Sequence, residues 1–388
     1  MTTGGRFLDL AAHLGGISQS ALDHFFYWRN PFTLENWTLN VIELLMVAVA
    51  LAGLLHAAQI RRRTGDGSYL LVWLAAVVYC LAMEVPIYFF MSALGYTDDT
   101  VIFIHNEFTT GAFYGRMPLY VAALYPALLY PSYVLVRQTS IFDGRWGTAR
   151  GAVCVGVVHH CFYEVFDHLG PQMKWWLWDY QLPTIGDITV ASVPVFSQVN
   201  FSMLNPIAFA FVAHMLLRGR RAPGTDSLGV RRLVTTGRVL VAGILTPVLG
   251  VMLSLNLIYS HATDRPSDAL IEMLSYGLAA TAILFTLWQF ARTSPNDIIR
   301  NSEPWIGDYF IPIFATVYLS VLGILWIIAL PDYVSARDGL TDAGTPTGSL
   351  AYAGASAAAC IWFVLRAHDR GMTRPHRPSI PRPQQTTR

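Results

Sequence analysis

Between Val157 and Asp179 the chain reads VVHHCFYEVFDHLGPQMKWWLWD. Histidines, carboxylates and tryptophans crowd the end of an apolar run. On a helix, His160, Glu164, Asp167 and His168 follow an i, i+4, i+7, i+8 stripe and point together. His159, Tyr163 and Phe166 form the neighbouring stripe. Gly170-Pro171 then ends the helix. Trp175, Trp176 and Trp178 follow at the depth where an interfacial aromatic belt forms, and they are also placed to floor a cavity.

Three kinds of chemistry suit this set. The first is proton transfer. Burial in an apolar pocket disfavours the charged form of a carboxyl group, so a buried Glu or Asp can hold a proton at neutral pH and donate it. Glu84, Glu164 and Asp167 are the candidates, with His160 as a relay beside Glu164. Aromatic rings such as Tyr114, Tyr163, Trp176 and Trp178 would stabilise a carbocation by cation–π attraction. Protonating an alkene and capturing the cation uses all these parts. The second kind is metal binding. His160 and Glu164 can ligate one ion, with His105 and Glu107 completing a divalent-metal set. The spacing matches no known ligand pattern, HExxH included, so no cofactor is expected. The third kind is a plain interhelical hydrogen-bond network.

The elements that position these groups are membrane helices. The chain has 388 residues, 54% hydrophobic and 13% charged. Mean hydropathy is +0.42. Soluble domains carry about 25% charged residues. The net charge of +1 gives no sign of nucleic-acid binding. Runs of roughly 20 apolar residues cross a bilayer. The expected fold is all-α, a polytopic transmembrane bundle of about nine spans. They fall at 37–60, 68–94, 113–136, 149–168, 193–217, 234–258, 268–291, 308–330 and 349–366, with a bent or re-entrant approach to the third. Residues 1–36 form an N-terminal amphipathic or interfacial segment, 37–366 a single helical domain, and 367–388 an Arg/Pro-rich disordered tail. The four cysteines all lie in apolar runs and read as buried hydrophobes.

Charge supports that count. With the N-terminus outside, 20 of the 26 basic residues fall on the inner side. Cytoplasmic loops hold such an excess, so the C-terminus is expected inside and the location is the cell membrane. Ionisable groups inside a bilayer are costly and mark function by default. Glu43, Glu84, His105, Glu107, Arg116, Asp167, Gln198 and Asn200 share one depth, toward the outside. That depth predicts a polar outer-leaflet cavity walled mainly by spans one to five. Arg116 and Asn200 would orient a substrate there.

Two stretches resemble the integral-membrane carotenoid hydratases of the bisanhydrobacterioruberin/lycopene hydratase type. The first is NEFTTGAFYGRMPLYVAALYPALLYPSYVL at 106–135. The second is FDHLGPQMKWWLWD followed by VPVFSQVNFSMLNP, with Asp167, Pro171, Trp176, Trp178, Val193, Pro194, Asn200 and Phe201 in the shared pattern. The histidines lie outside it. The resemblance implies an isoprenoid or other long-chain lipid substrate and lyase-type addition of water to a double bond. Hydration, isomerisation or cyclisation of a lipophilic substrate is therefore the first functional expectation. A proton-coupled transporter and a non-catalytic assembly protein are the alternatives. The expected partners are the lipid bilayer and a lipophilic small molecule.

Overall fold

A computed structural model describes residues 5–94, 96–97, 100–182, 185, 188–218, 228–265, 268–292 and 304–368. Two short helices come first, α1 (Gly5–Leu14) and α2 (Gln19–Asp23). The long helices are α3 (Thr38–Thr64), α4 (Ser68–Phe89), α5 (Leu119–Arg137), α6 (Gly147–Asp167) and α7 (Phe196–Leu217). Then follow α8 (Leu228–Leu253), the short α9 (Leu255–Thr263), α10 (Ala269–Arg292), α11 (Pro304–Ser335) and α12 (Leu350–His368). The protein is an all-α multi-pass membrane bundle. Among the described residues, eight helices are long and apolar enough to span. The ninth expected span is α6, whose polar stripe lowers its hydropathy. It is a 21-residue helix buried along nearly its whole length.

Burial sorts the spans into two layers. The most apolar windows of α5 and α7 are 89% and 72% buried, against 28% for α8 and 22% for α10. So α5, α6 and α7 form the interior, and the other spans wrap them. The outer ring shows leucine, isoleucine and methionine to its surroundings, as at Leu233, Ile244, Leu270, Met273 and Ile327. That surface suits lipid rather than water. Neighbouring helices approach closely where side chains vanish. At Gly243 on α8, an added Cβ would lie 2.5 Å from Val78 Cγ1 and 2.9 Å from the backbone nitrogen of Tyr79 on α4. Gly243→Val should therefore lower stability by roughly 1–3 kcal/mol through overpacking. The thermal midpoint of the purified variant in detergent checks this; an unchanged midpoint would mean that the α4–α8 contact yields freely.

The arginine clusters gather at one end. Arg61, Arg62 and Arg63 occupy the last turn of α3, where cations complement the helix dipole. Gly65 then ends that helix in a left-handed conformation, φ 75°. At the opposite, distal end the chain builds small antiparallel sheets. Strands β1 (Phe26–Trp28), β3 (Thr110–Ala112) and β4 (Met117–Pro118) pair in the order β1-β3-β4. Strand β2 (Phe103–His105) pairs with β5 (Trp176–Trp178), and β6 (Thr189–Val190) with β7 (Val193–Pro194).

These sheets correct several expected boundaries. The third span starts at Leu119, because 113–116 form the β3–β4 turn, with Phe113, Tyr114 and Gly115 all at positive φ, and 117–118 are β4 itself. The second helix stops at Phe89, not 94. Phe90 leaves the helical conformation, with φ −133°, and Met91–Leu94 wind on as a short 3-10 turn. The fifth starts at Phe196, and the sixth breaks at Ser254, with α9 as a separate piece. In the N-terminal segment, α1 turns its apolar face inward: Phe7, Leu10, Ala11 and Leu14 pack on Ile104. From residue 369 onward, the expected C-terminal tail lies outside the described residues.

Candidate functional site

Strands β2 and β5 cross the distal end and roof a cavity. Register pairs His105 with Trp176 and Phe103 with Trp178. Alternate strand residues face one side, so both members of each pair turn the same way. Phe103, His105, Trp176 and Trp178 all line the cavity. From below, α4 contributes Glu84 and Ile87, and α5 contributes Tyr120, Val121 and Leu124. The walls close with Tyr163 and Phe166 of α6 and Phe196 and Phe201 of α7. The centre of a water-sized sphere can range over about 40 Å³ of it. That is a narrow slot, with room for a few waters or a slender chain.

Its polar features are sparse and specific. Glu84 is 2% exposed, and one carboxylate oxygen accepts a 2.5 Å hydrogen bond from the Tyr125 hydroxyl. The other oxygen, Oε2, has no hydrogen bond of normal geometry among the described residues, although the Tyr88 hydroxyl stands beside the carboxyl group. His105 Nδ1 shares a 2.8 Å bond with the Tyr120 hydroxyl, and its Nε2 is unpartnered. The indole nitrogens of Trp176 and Trp178 are unpartnered too. Buried polar atoms are normally satisfied. Four orphans on the lining of one apolar slot leave hydrogen-bonding capacity for an occupant.

His105 lies outside the spanning helices, and burial lowers its pKa from 6.5 to about 3. The unfolded chain therefore binds a proton that the folded one refuses between these values. Stability should fall as pH drops below about 6.5, with no such effect above it, by about 2 kcal/mol at pH 5. His105→Gln should remove this component. Thermal midpoints at pH 7 and pH 5 test it: wild type should lose more than the variant, and equal losses would contradict a neutral buried His105.

The polar stripe of α6 faces elsewhere. His160, Glu164 and His168 turn toward α7, α10 and α12. Glu164 sits between the two imidazoles, with Oε1 3.4 Å from His160 Nδ1 and Oε2 3.4 Å from His168 Nε2. The Ser202 hydroxyl donates to the Gln198 carbonyl at 2.6 Å, so it accepts from His160 Nδ1 at 2.7 Å. His160 Nε2 then accepts from the Tyr352 hydroxyl at 2.8 Å. On His168, Nδ1 accepts the Ser349 amide at 3.1 Å, which places the ring proton on Nε2 facing Glu164. Asp167 accepts a 2.6 Å bond from the Ser197 hydroxyl. Tyr163 stands beside Asp167 and Ser197 and also lines the cavity. Tyr163 is thus the joint between the slot and the buried network.

The partners on α7 come from a π-helical stretch, Phe196–Leu204. Wider turns bring Ser197, Gln198 and Ser202 to one face, against α6. Such π segments occur disproportionately at functional sites.

The structure gathers only part of the expected site. Glu84, Trp176 and Trp178 line the slot, and Asp167 stands one residue behind it. His160 and Glu164 belong to the neighbouring network. Asn200 bonds Asn256 at 3.0 Å, and Arg116 stacks over Phe7 at 4.7 Å; neither lines the slot. Tyr114 is exposed at the hairpin tip. The cavity is aromatic rather than broadly polar, and the first span stays out of its lining. Glu43 instead accepts the amides of Thr109 and Thr110, each at 3.1 Å, and so anchors β3. The alternative metal set is dispersed. Glu107 is held by Ser18 in the distal cap, whereas His105 faces Tyr120. Among the described residues no group of three or more His, Cys, Asp or Glu is placed to hold a metal ion. All four cysteines are buried and free.

The three tryptophans of the opening stretch are buried at 5% exposure or less, so they form no exposed belt. Trp175 donates to Thr38 at 2.9 Å. Exposed distal aromatics include Phe26, Trp28, Phe32 and Trp37. Sequence reasoning missed Phe103, Tyr120, Val121 and Phe196 as wall residues and Tyr125 as the partner of Glu84. A periodicity signal existed for Tyr120 and Leu124, which are i, i+4 on α5; for Phe103 there was none.

No curated protein and no solved structure matches this chain. One family model does, over residues 28–344, a stretch that holds every residue of the slot and, apart from Ser349 and Tyr352, the network behind it. The chain belongs to that family, described as a domain of unknown function, DUF7802.

Proposed function

We propose that this membrane protein is an enzyme that performs proton-transfer chemistry on the unsaturated portion of a slender lipophilic molecule. One observation carries the proposal: a buried carboxyl, Glu84, on the wall of a narrow slot that is otherwise almost wholly aromatic and aliphatic. Glu84 is the acid. It transfers its proton to one carbon of a double bond, forming a C–H bond and leaving a cation on the other carbon. The rings of Phe103, Tyr120, Trp176 and Trp178 stabilise that cation through their faces. Water addition forms a C–O bond, and the surplus water proton passes back to the Glu84 carboxylate, while the neutral His105 imidazole helps to position the water. Loss of a proton from a neighbouring carbon gives isomerisation instead.

Asp167 acts from behind Tyr163, and the His160–Glu164–His168 set is the relay that stores or resupplies the proton. The isoprenoid or carotenoid class of substrate rests on the resemblance of 106–135 and 166–206 to carotenoid hydratases. The state of the arginine-end histidines supports an enzyme over a proton-coupled carrier. His56 bonds Tyr130 at 2.8 Å and His214 bonds Tyr133 at 3.0 Å, so both have local partners instead of extending a polar path. The test compares unsaturated-lipid profiles of host membranes carrying wild type or Glu84→Gln. A product present only with wild type supports the reading; identical profiles reject it.

A further inference from the structure

A second groove lies at the arginine end, between the start of α6 and the end of α10. It is lined by Ser140, Ile141, Arg150, Trp288, Gln289 and Arg292. The centre of a water-sized sphere can range over about 240 Å³ of it. Among the described residues its charged lining groups are two guanidiniums, one from each helix, and no carboxylate lines it. Arg150 donates through one amino group to the Asp143 carbonyl, and its Nε is buried without a partner among the described residues. Arg292 lies over the Trp288 ring, 5.1 Å from guanidinium carbon to centroid. No side chain caps the start of α6, so that helix adds its positive end to the same region. Ser140 and Gln289 bring a hydroxyl and an amide.

We infer that this groove binds a phosphate group. Two planar forks converging from separate helices suit tetrahedral phosphate oxygens, which accept parallel N–H bonds. The surroundings favour a phosphate carried by a lipid. Trp288 is half exposed, and Leu284, one turn earlier on the same face, is 67% exposed. An acyl chain can run down that apolar face while its headgroup sits between the arginines. Basic pockets between spans at the arginine-rich face recognise anionic headgroups in this way. The slot at the distal end lies at the opposite ends of these helices, so the inference stands whether or not the enzymatic reading holds.

Native mass spectrometry of the full-length protein in detergent tests it, with phosphatidic acid, phosphatidylcholine or inorganic phosphate added separately. Wild type should retain phosphatidic acid in preference to phosphatidylcholine. Arg292→Gln should weaken that retention about fivefold, and the double variant with Arg150→Gln further. Arg292 is exposed, so its single variant should fold even if the double one does not. Arg62→Gln, at the same end but outside the groove, should leave retention unchanged. If inorganic phosphate competes at millimolar concentration, the site takes a soluble phosphate as well and its chemistry stands. Equal retention of both lipids by wild type, or no loss in Arg292→Gln, would overturn the inference.

Discussion

Glu84→Gln should lower turnover of the lipophilic substrate by roughly 100- to 10,000-fold, the range that a lost general acid produces. The amide keeps the shape of the side chain, and its oxygen still accepts the Tyr125 hydroxyl bond at the position now measured at 2.5 Å. The variant should therefore fold and insert as wild type does. What it lacks is an acidic proton facing the slot. Two comparisons separate chemistry from structure. Glu107→Gln disturbs a carboxylate held by Ser18 in the distal cap and should leave turnover unchanged. Glu164→Gln interrupts the set behind Tyr163 and should slow turnover less than Glu84→Gln does. Rates in reconstituted nanodiscs give the ranking. If Glu84→Gln kept full rate, the slot would have lost its acid and the mechanism with it.

Trp176→Ala should have the largest effect on stability. Trp176 is 3% exposed, roofs the slot, and packs on Phe166 with ring centroids 4.7 Å apart. Its outer ring edge fills the space above Gly170, where even an added Cβ would lie 1.9 Å from it. Truncating such a buried aromatic costs roughly 3–5 kcal/mol, from lost transfer energy and the void left behind. The void would join the slot. A long-chain apolar additive should then restore part of the thermal midpoint, because an enlarged dry cavity gains by being filled. A midpoint unchanged from wild type would mean that the roof does not hold the site together.

The helical bundle was legible in the sequence because apolar length and arginine alternation are strong local signals. Glu84, Trp176 and Trp178 could be placed near one another because depth follows from position along a span. Depth alone did not say which face a residue shows. On α6 the stripe of His160, Glu164 and His168 was read as facing the cavity, yet Tyr163 and Phe166 face it. Successive helical residues turn by about 100°, so adjacent stripes meet different neighbours. Choosing between them needs the packing of α7 and α12. The β2–β5 roof was invisible for another reason. Strands of three residues carry no periodicity, and their partners are separated by the whole of α5 and α6. The π-helical start of α7 likewise has no local signature, although it sets Ser197, Gln198 and Ser202 against α6.

The distal slot should hold a slender unsaturated lipophile. Mass spectrometry of lipid co-purified with wild type and with Val121→Trp tests it most directly, since an indole at 121 would fill the slot lined by Val121, Glu84 and Trp176. Wild type should carry a defined long-chain unsaturated compound near one per protein, and Val121→Trp, folded to the same degree, should carry none. Bulk bilayer phospholipids alone, in equal amount on both proteins, would contradict the account.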